Sequence, residues 1–146
     1  FRSLRKFDEL DMKLLFELTK DGSVSVPILS EKLGINSSVL YSRIKRLVRK
    51  KLIKKFIIDI DNSLLGIGVK ATVGMNRDPK FKTEIQKKLL GISEISSISE
   101  VTGRFDIMIH IYAQDLEDLH AVVIEKIGKI VGIQTTETFV ELQKTD

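Results

Sequence analysis

Eight basic side chains lie within the fourteen residues from Ser42 to Lys55, which read SRIKRLVRKKLIKK. No acidic residue occurs between Glu31 and Asp59, so no carboxylate neutralises this charge along the sequence. Apolar side chains recur through the same stretch at the spacing of one helical face: Leu40, Ile44, Leu47 and Val48. A helix with one apolar and one cationic face is typical of a surface that binds the phosphates of nucleic acid. The pattern therefore predicts a DNA-binding helix.

We expect two kinds of contact from this helix. Residues near the start of a recognition helix reach base edges, whereas the cations around them bind phosphates. The predicted base-contacting side chains are Ser37, Ser38, Tyr41, Ser42 and Arg43. The predicted phosphate-binding side chains are Lys45, Arg46, Arg49 and Lys50. Taken singly, each cation is equally consistent with a solvated surface charge, and Ser37 with a residue that only starts the helix.

A second group of residues is suited to a small zwitterion. Gly103 permits a tight turn that exposes backbone N–H groups, which can receive a carboxylate. Asp106 can bind an ammonium group, and Thr136 and Thr138, two apart in a predicted strand, present both hydroxyls on one face. Together these groups fit an α-amino acid. The residue types alone are also consistent with a plain hairpin, an Asp cap and ordinary strand threonines.

The composition indicates a packed, soluble protein. Of the 146 residues, 42% are hydrophobic and 30% are charged, and the absence of Cys excludes disulfides and thiolate metal sites. No apolar stretch approaches the roughly 18 residues that span a bilayer. The opening FRSLRKFDEL is charged early and lacks the apolar segment of a secretory signal. We therefore expect a cytoplasmic protein with no membrane partner.

The net charge of +4 is divided unevenly along the chain. Residues 1–60 carry 14 basic and 7 acidic side chains, whereas residues 61–146 carry 10 and 13. Chance clustering of surface charge is the alternative explanation. A basic front half and a mildly acidic back half predict two domains with different roles.

Three helices are predicted in the front half, with Asp8, Ser25 and Asn36 as their N-caps, over residues 7–20, 26–33 and 37–50. Gly34 separates the second helix from the basic third helix, which gives a tight helix-turn-helix. The β-branched and aromatic residues 56–60 predict a strand. We therefore expect a winged-helix-like DNA-binding domain at residues 1–55 and a strand and hinge linker at 56–68.

The back half predicts a β-α-β-β-α-β order over residues 69–146, which is the ferredoxin-like arrangement. Its strands are expected near 69–76, 92–101, 105–113 and 133–143, and its helices near 81–89 and 115–127. The overall class is therefore α+β. Helices cover only one face of such a sheet, and the other face is a mixture of apolar and polar residues: Thr72, Gly74, His110, Tyr112, Phe139 and Glu141. We expect a second subunit on this face, giving a two-fold homodimer; a solvated face is the alternative.

With these elements in place, the chain resembles the Lrp/AsnC (leucine-responsive, feast/famine) family of transcriptional regulators. The resembling stretches are FDELDMKLLFELTKDG, SEKLGINSSVLYSRIKRLVRKKLI, IDNSLLG, VTGRFDIMIHIYAQDLEDL and GIQTTETFVEL. Two departures stand out: Lys51 replaces the family's usual Gly after the recognition helix, and Lys55-Phe56 replaces a common Gly-Tyr pair. Neither departure changes the predicted fold.

The resemblance implies double-stranded DNA as a partner and a small effector, often an amino acid, bound at an interface between dimers. It assigns the effector site to Gly103, Asp106, Thr136 and Thr138, with Arg104 and Phe105 in the same loop. It also implies a homodimer through the C-terminal domain that assembles further, often to an octamer. No cofactor or metal is implied.

Three other function classes fit the sequence less well. An enzyme is disfavoured because His110 and His120 have no metal-ligand spacing and no nucleophile or phosphate-loop motif is present. An RNA-binding module is disfavoured because the back half is acidic and its sheet carries few aromatic residues. A metabolite sensor without operator binding would leave the basic helix unexplained.

Overall fold

The computed structural model describes residues 6–66, 68–142 and 145, and its chain divides into two compact units, residues 1–60 and 61–146. Ile67 of the predicted hinge, Gln143 of the last predicted strand and the remaining terminal residues lie outside the described part. No helix among the described residues is long and apolar enough to cross a membrane.

The first unit contains three helices, and each begins at the N-cap that the sequence predicts. Helix α1 spans Glu9–Lys20, α2 spans Val26–Leu33 and α3 spans Ser37–Arg49. The caps Asp8, Ser25 and Asn36 each accept a hydrogen bond from a backbone N–H of the first turn, which would otherwise lack a partner. Gly34 ends α2 in the left-handed conformation, so the chain reverses into α3 within a few residues.

The core of this unit consists of Leu14, Val26, Leu29, Leu40 and Leu47, which are all buried. Ile44 packs against this core, but Val48 is 43% exposed. Successive residues turn about 100° around a helix axis, so Val48 lies to one side of the stripe formed by Leu40, Ile44 and Leu47. The apolar face of α3 is therefore narrower than predicted.

The predicted strand at residues 56–60 is wrong for this chain, which has no strand there. The backbone of this segment forms no ladder, and Phe56, Ile57, Ile58 and Ile60 are exposed, Ile58 by 81%. β-branched residues favour a strand only where a neighbouring strand supplies hydrogen-bond partners and a packing face. No neighbour of this kind occurs within the described residues of the unit.

The second unit has the predicted ferredoxin-like topology. A short 3₁₀ helix, Asn62–Leu65, precedes β1 (Val69–Arg77), α4 (Lys82–Leu90), β2 (Ile95–Glu100) and β3 (Ile107–Ala113). Helix α5 (Leu116–Ala121) continues as a π-helical turn, Val122–Ile127, and β4 spans Ile133–Val140. The four strands form one antiparallel sheet in the order β2-β3-β1-β4.

Side chains of the two central strands, β1 and β3, point alternately to the two faces of the sheet, and only one of these faces is buried. Val73 and Met75 of β1 and Ile109 and Ile111 of β3 are buried beneath the helices, as the period-two pattern predicts. Leu119 of α5 and Val123 and Ile127 of the π-helical turn join this core, whereas Leu116 is 62% exposed. Among the described residues of this unit, no helix lies over the opposite face of the sheet, which we call the open face.

Candidate nucleic-acid interface and ligand site

The N-terminal end of α3 is held by a dense set of local hydrogen bonds. Asn36 Oδ1 accepts from the backbone N–H of Ser38 at 2.9 Å and from its hydroxyl at 2.8 Å. The hydroxyl of Ser30, on α2, donates to the carbonyl of Ile35 at 2.5 Å. These bonds tie the turn to both helices and fix where α3 begins.

One stripe of α3 faces solvent along its whole length. Ser38, Ser42, Lys45 and Arg49 are spaced four, three and four residues apart, so they lie on one side of the helix, opposite Leu40 and Leu47. We call these four residues the outward stripe. All four are exposed, Tyr41 beside them is also exposed, and Ser37 is half-buried. Within residues 6–66 and 68–142, Lys45, Arg49 and Lys50 make no ion pair, so these cations are available to an anion.

Arg43 and Arg46 do not share this outward orientation. The sequence predicts a base contact for Arg43, but its side chain is only 29% exposed and its guanidinium Nη1 lies 2.5 Å from Asp8 Oδ2. Arg46 has an Nη1 atom 3.2 Å from Asp11 Oδ2. They lie on the flank of α3 that faces the start of α1, where carboxylates are within reach.

The acidic residues at the start of α1, which the sequence predicts only as a helix cap, also contact side chains of α3. Asp8 and Asp11 form a reciprocal capping box, and Asp11 is also fully buried. Hydrogen bonds from Arg43 and from the Asp11 backbone hold the pKa of Asp8 below its ordinary value. Hydrogen bonds to the Asp8 and Asp11 carboxylates raise the pKa of Arg43. The signal in the sequence is an acid pair and an arginine pair that are each spaced by three residues.

In the second unit, Asp106 is anchored at the end of the loop that precedes β3. Its backbone N–H donates to the Met75 carbonyl at 3.0 Å, and its Oδ2 accepts from the Arg77 N–H at 3.1 Å. Val101 N–H donates to the Asp106 carbonyl at 3.0 Å, which closes the loop. Gly103, at its tip, has a φ of 123°, a conformation that other residues rarely adopt. The Asp106 carboxylate is thus rigidly placed and still exposed.

Phe105 folds back onto the open face of the sheet. A Cβ atom on Gly74 would lie 2.5 Å from the Phe105 ring, so only glycine allows this approach. The ring meets Phe139 edge-on, with centroids 6.4 Å apart. Arg104 lies over the same ring and pairs with Glu137 at 3.3 Å, so Glu137, which has no predicted role, lies beside the loop.

Thr136 and Thr138 lie on the other face of β4. They are the cross-strand partners of Met75 and Val73, whose side chains point to the helix-covered side, whereas Glu137 is opposite Gly74. Both threonines are exposed, because β4 is an edge strand. Among the described residues of one chain, the six predicted effector residues therefore do not line a single cavity.

The open face of the sheet contains a concavity of about 490 Å³. Its lining includes Lys70 and most of the mixed face that the sequence predicts: Thr72, His110, Tyr112, Phe139 and Glu141. Thr72 Oγ1 lies 3.1 Å from His110 Nδ1, and the Lys70 ammonium lies 5.2 Å from the centre of the Tyr112 ring. No cluster of metal-ligating side chains occurs in the described part of the chain.

Comparison with known proteins matches both units to protein families. A family model described as winged helix-turn-helix DNA-binding matches residues 7–54, and one described as the Lrp/AsnC ligand binding domain matches residues 70–145. The transcriptional regulator AzlB of Bacillus subtilis is 33% identical over 134 residues, covering 90% of this chain and 85% of AzlB.

Solved structures share the same fold over nearly the whole chain. Escherichia coli AsnC is 26% identical, with a TM-score of 0.81 over 94% of this chain and 93% of AsnC. A transcriptional regulator of Neisseria meningitidis, solved in complex with L-methionine, is 18% identical, with a TM-score of 0.88 over 96% of this chain and 92% of its own.

Proposed function

Because this chain belongs to the Lrp/AsnC family of DNA-binding transcriptional regulators, we propose that it reads a specific duplex sequence through α3 and responds to an amino acid. The family consists of regulators and not of enzymes. The sequence-specific site, the effector and the assembly described below are our proposals.

The outward stripe of α3 is the single observation that carries the DNA-reading proposal. Its polar end, Ser38 and Ser42 with Tyr41 beside them, is at the start of the helix, where recognition helices meet base edges. Its cationic end, Lys45 and Arg49, lies further along the helix and is exposed. We therefore assign base contacts to the first group and phosphate contacts to the second, with Lys50 at the helix end and Ser37 at its start contributing from the sides.

We propose that two subunits pack through the open faces of their sheets. The exposed Phe139 and the half-buried Tyr112 give this concave face an apolar component that a partner can bury. A two-fold dimer presents two copies of α3, which favours a palindromic operator. Further assembly of such dimers would bring together effector residues that one chain keeps apart.

The effector proposal is supported by charged groups around the loop at Gly103. Arg104 and Glu137 form an exposed ion pair, and Asp106 presents an anchored carboxylate. An α-amino acid carries both matching charges, so its carboxylate can bind Arg104 and the Gly103 turn while its ammonium binds Asp106. Phe105 lies beside this pair, and Thr136 and Thr138 complete the site from the other face of β4, in a neighbouring subunit. The complex of the Neisseria regulator with L-methionine is consistent with this class of ligand.

Selection of bound duplexes from a random pool, with and without the twenty amino acids, tests both the sequence-specific DNA binding and the amino-acid response. We expect an enriched palindromic sequence and a change in its occupancy with at least one amino acid. Calorimetry with the same twenty compounds should give heat for that one. If no duplex is enriched, operator reading is refuted, and if all twenty amino acids are silent, the effector proposal is refuted. Stronger competition by RNA than by duplex DNA would favour the RNA-binding alternative.

A further inference from the structure

Two carboxylates at the start of α1 hold two guanidinium groups of α3. Arg43 Nη1 lies 2.5 Å from Asp8 Oδ2 and 3.0 Å from Asp11 Oδ1, and Arg46 Nη1 lies 3.2 Å from Asp11 Oδ2. The Asp11 side chain is 1% exposed, so its contacts are largely removed from water. We call these four side chains the aspartate clasp.

The clasp is braced on both sides by backbone groups. Asp8 N–H donates to Asp11 Oδ2 at 3.1 Å, and Asp11 N–H donates to Asp8 Oδ1 at 2.9 Å. Arg46 Nη2 also donates to the Lys6 carbonyl at 2.7 Å, and its guanidinium lies 5.7 Å from the centre of the Phe7 ring. Both oxygens of the buried Asp11 carboxylate therefore have partners: Oδ1 accepts from Arg43, and Oδ2 accepts from Arg46 and from the Asp8 N–H.

The position of the clasp on α3 determines what it can do. Arg43 and Arg46 are three residues apart and therefore on the same flank, between the buried stripe and the outward stripe. Packing of the apolar stripe against the core contacts only one side of α3. A second attachment along the flank restricts the rotation of α3 about its own axis, and this rotation decides which side chains face the DNA.

We propose that Asp8 and Asp11 are positioning residues for DNA reading, and that Arg43 and Arg46 set the rotation of α3 without binding DNA themselves. This inference rests on the proposed DNA-reading role of α3. It differs from the prediction from sequence, in which Arg43 contacts a base and Arg46 a phosphate. The direct DNA contacts then come from the outward stripe and its immediate neighbours.

Neutralising Asp11 distinguishes a positioning role from a purely electrostatic effect on DNA binding, because the two predict opposite changes in operator affinity. Asp11→Asn removes a negative charge near DNA and releases two arginines, so electrostatics alone would strengthen binding to every duplex. Mispositioning of α3 instead weakens binding to the operator and leaves non-specific binding unchanged or stronger. If the rotated helix lost the contacts to about one base pair, operator affinity would fall by about tenfold.

The experiment compares two duplexes, one selected by the wild-type protein and one of shuffled sequence, by fluorescence anisotropy between 50 and 200 mM salt. The variants are Asp11→Asn, Arg43→Gln and Arg43→Lys, with Glu9→Gln and Lys45→Gln as matched controls on α1 and α3. All are measured at a temperature at which circular dichroism shows them folded. Because a single atom, Nη1, makes both Arg43 contacts, a lysine ammonium can replace it in part.

We expect Asp11→Asn and Arg43→Gln to lose about tenfold in operator affinity without a change in the slope of log K against log salt. Arg43→Lys should recover part of the loss, Glu9→Gln should bind as wild type does, and Lys45→Gln should lower the slope by about 0.9. A similar slope change for Arg43→Gln would mean that Arg43 binds a phosphate and would overturn the inference. Wild-type operator affinity in folded Asp11→Asn would also overturn it, while leaving the proposed function intact. A wild-type protein that selects no duplex would refute the proposed function, and the role of the clasp with it.

Discussion

At the residue scale, Lys51 adopts a left-handed backbone conformation that is strained for lysine and would be unstrained for glycine. It follows α3 with a φ of 63°, in the left-handed region, while the N–H groups of Leu52 and Ile53 donate to the Leu47 carbonyl. A side chain with a Cβ atom costs roughly 1 kcal/mol there, whereas glycine does not. We expect Lys51→Gly to stabilise the N-terminal unit by about 1 kcal/mol, measured by thermal unfolding.

The control for this prediction is Lys51→Ala, which removes the same charge but keeps the Cβ atom. We expect no gain in the midpoint temperature from it. If both variants unfolded at the same temperature, the left-handed backbone at this position would not be the source of the strain.

The lowered pKa of Asp8 predicts that the stability of the N-terminal unit depends on pH. Its hydrogen bond from Arg43 holds its pKa below the ordinary value of 3.8, so the folded state favours the charged carboxylate. The contribution is therefore present above pH 3.8 and is lost as the pH falls through the lowered folded-state pKa. In Asp8→Asn the helix cap is kept, because Asn caps about as well as Asp, but the ion pair is removed.

We expect the difference in melting temperature between wild type and Asp8→Asn to be constant near neutral pH and to shrink towards zero in acid. Circular dichroism melts between pH 7 and pH 2 measure it. Glu9→Gln removes an exposed carboxylate from the same turn and serves as the comparison. A difference that persists unchanged at pH 2 would exclude the Asp8 ion pair as its cause.

At the scale of elements, the close approach of the 101–106 loop to β1 depends on Gly74. A Cβ atom at that position would overlap the Phe105 ring at 2.5 Å. We expect Gly74→Ala to displace Phe105 and to destabilise the C-terminal unit by about 1–3 kcal/mol, measured by denaturant unfolding. In a Phe105→Ala background the same substitution should cost far less, since the obstructing ring is gone. Equal costs in the two backgrounds would show that the strain lies elsewhere.

The elements also show how far the sequence determines the fold. Caps and periodicity are local, so Asp8, Ser25 and Asn36 and the alternation of β1 and β3 correctly predict the helices and the sheet. The strand at 56–60 depends on a partner that no local pattern reveals. Likewise, the position of Arg43 along α3 gives its angle around the helix but not the carboxylate across from it. The faces of Thr136 and Thr138 required the register of β4 against β1.

At the scale of the whole molecule, the proposed dimer would make DNA affinity depend on assembly. We propose a dimer through the open sheet face, where Phe139 is exposed at the edge of the concavity. Phe139→Glu adds a charge that is costly to bury in an interface but leaves no cavity in the core of the chain. We therefore expect a folded monomer, with sedimentation velocity reporting the change in mass.

Dimer loss should also change how binding responds to salt. A dimer neutralises the phosphate contacts of two copies of α3 in one binding event, whereas a monomer neutralises those of one copy. We therefore expect Phe139→Glu to halve the slope of log K against log salt and to lose the avidity of paired half-sites. Leu90→Glu, at an exposed apolar residue at the end of α4, is the matched control and should keep both the dimer and the slope. If the Phe139→Glu variant remained dimeric and its salt slope were unchanged, the proposed dimer through the open sheet face would be refuted. The subunits would then have to associate through another surface.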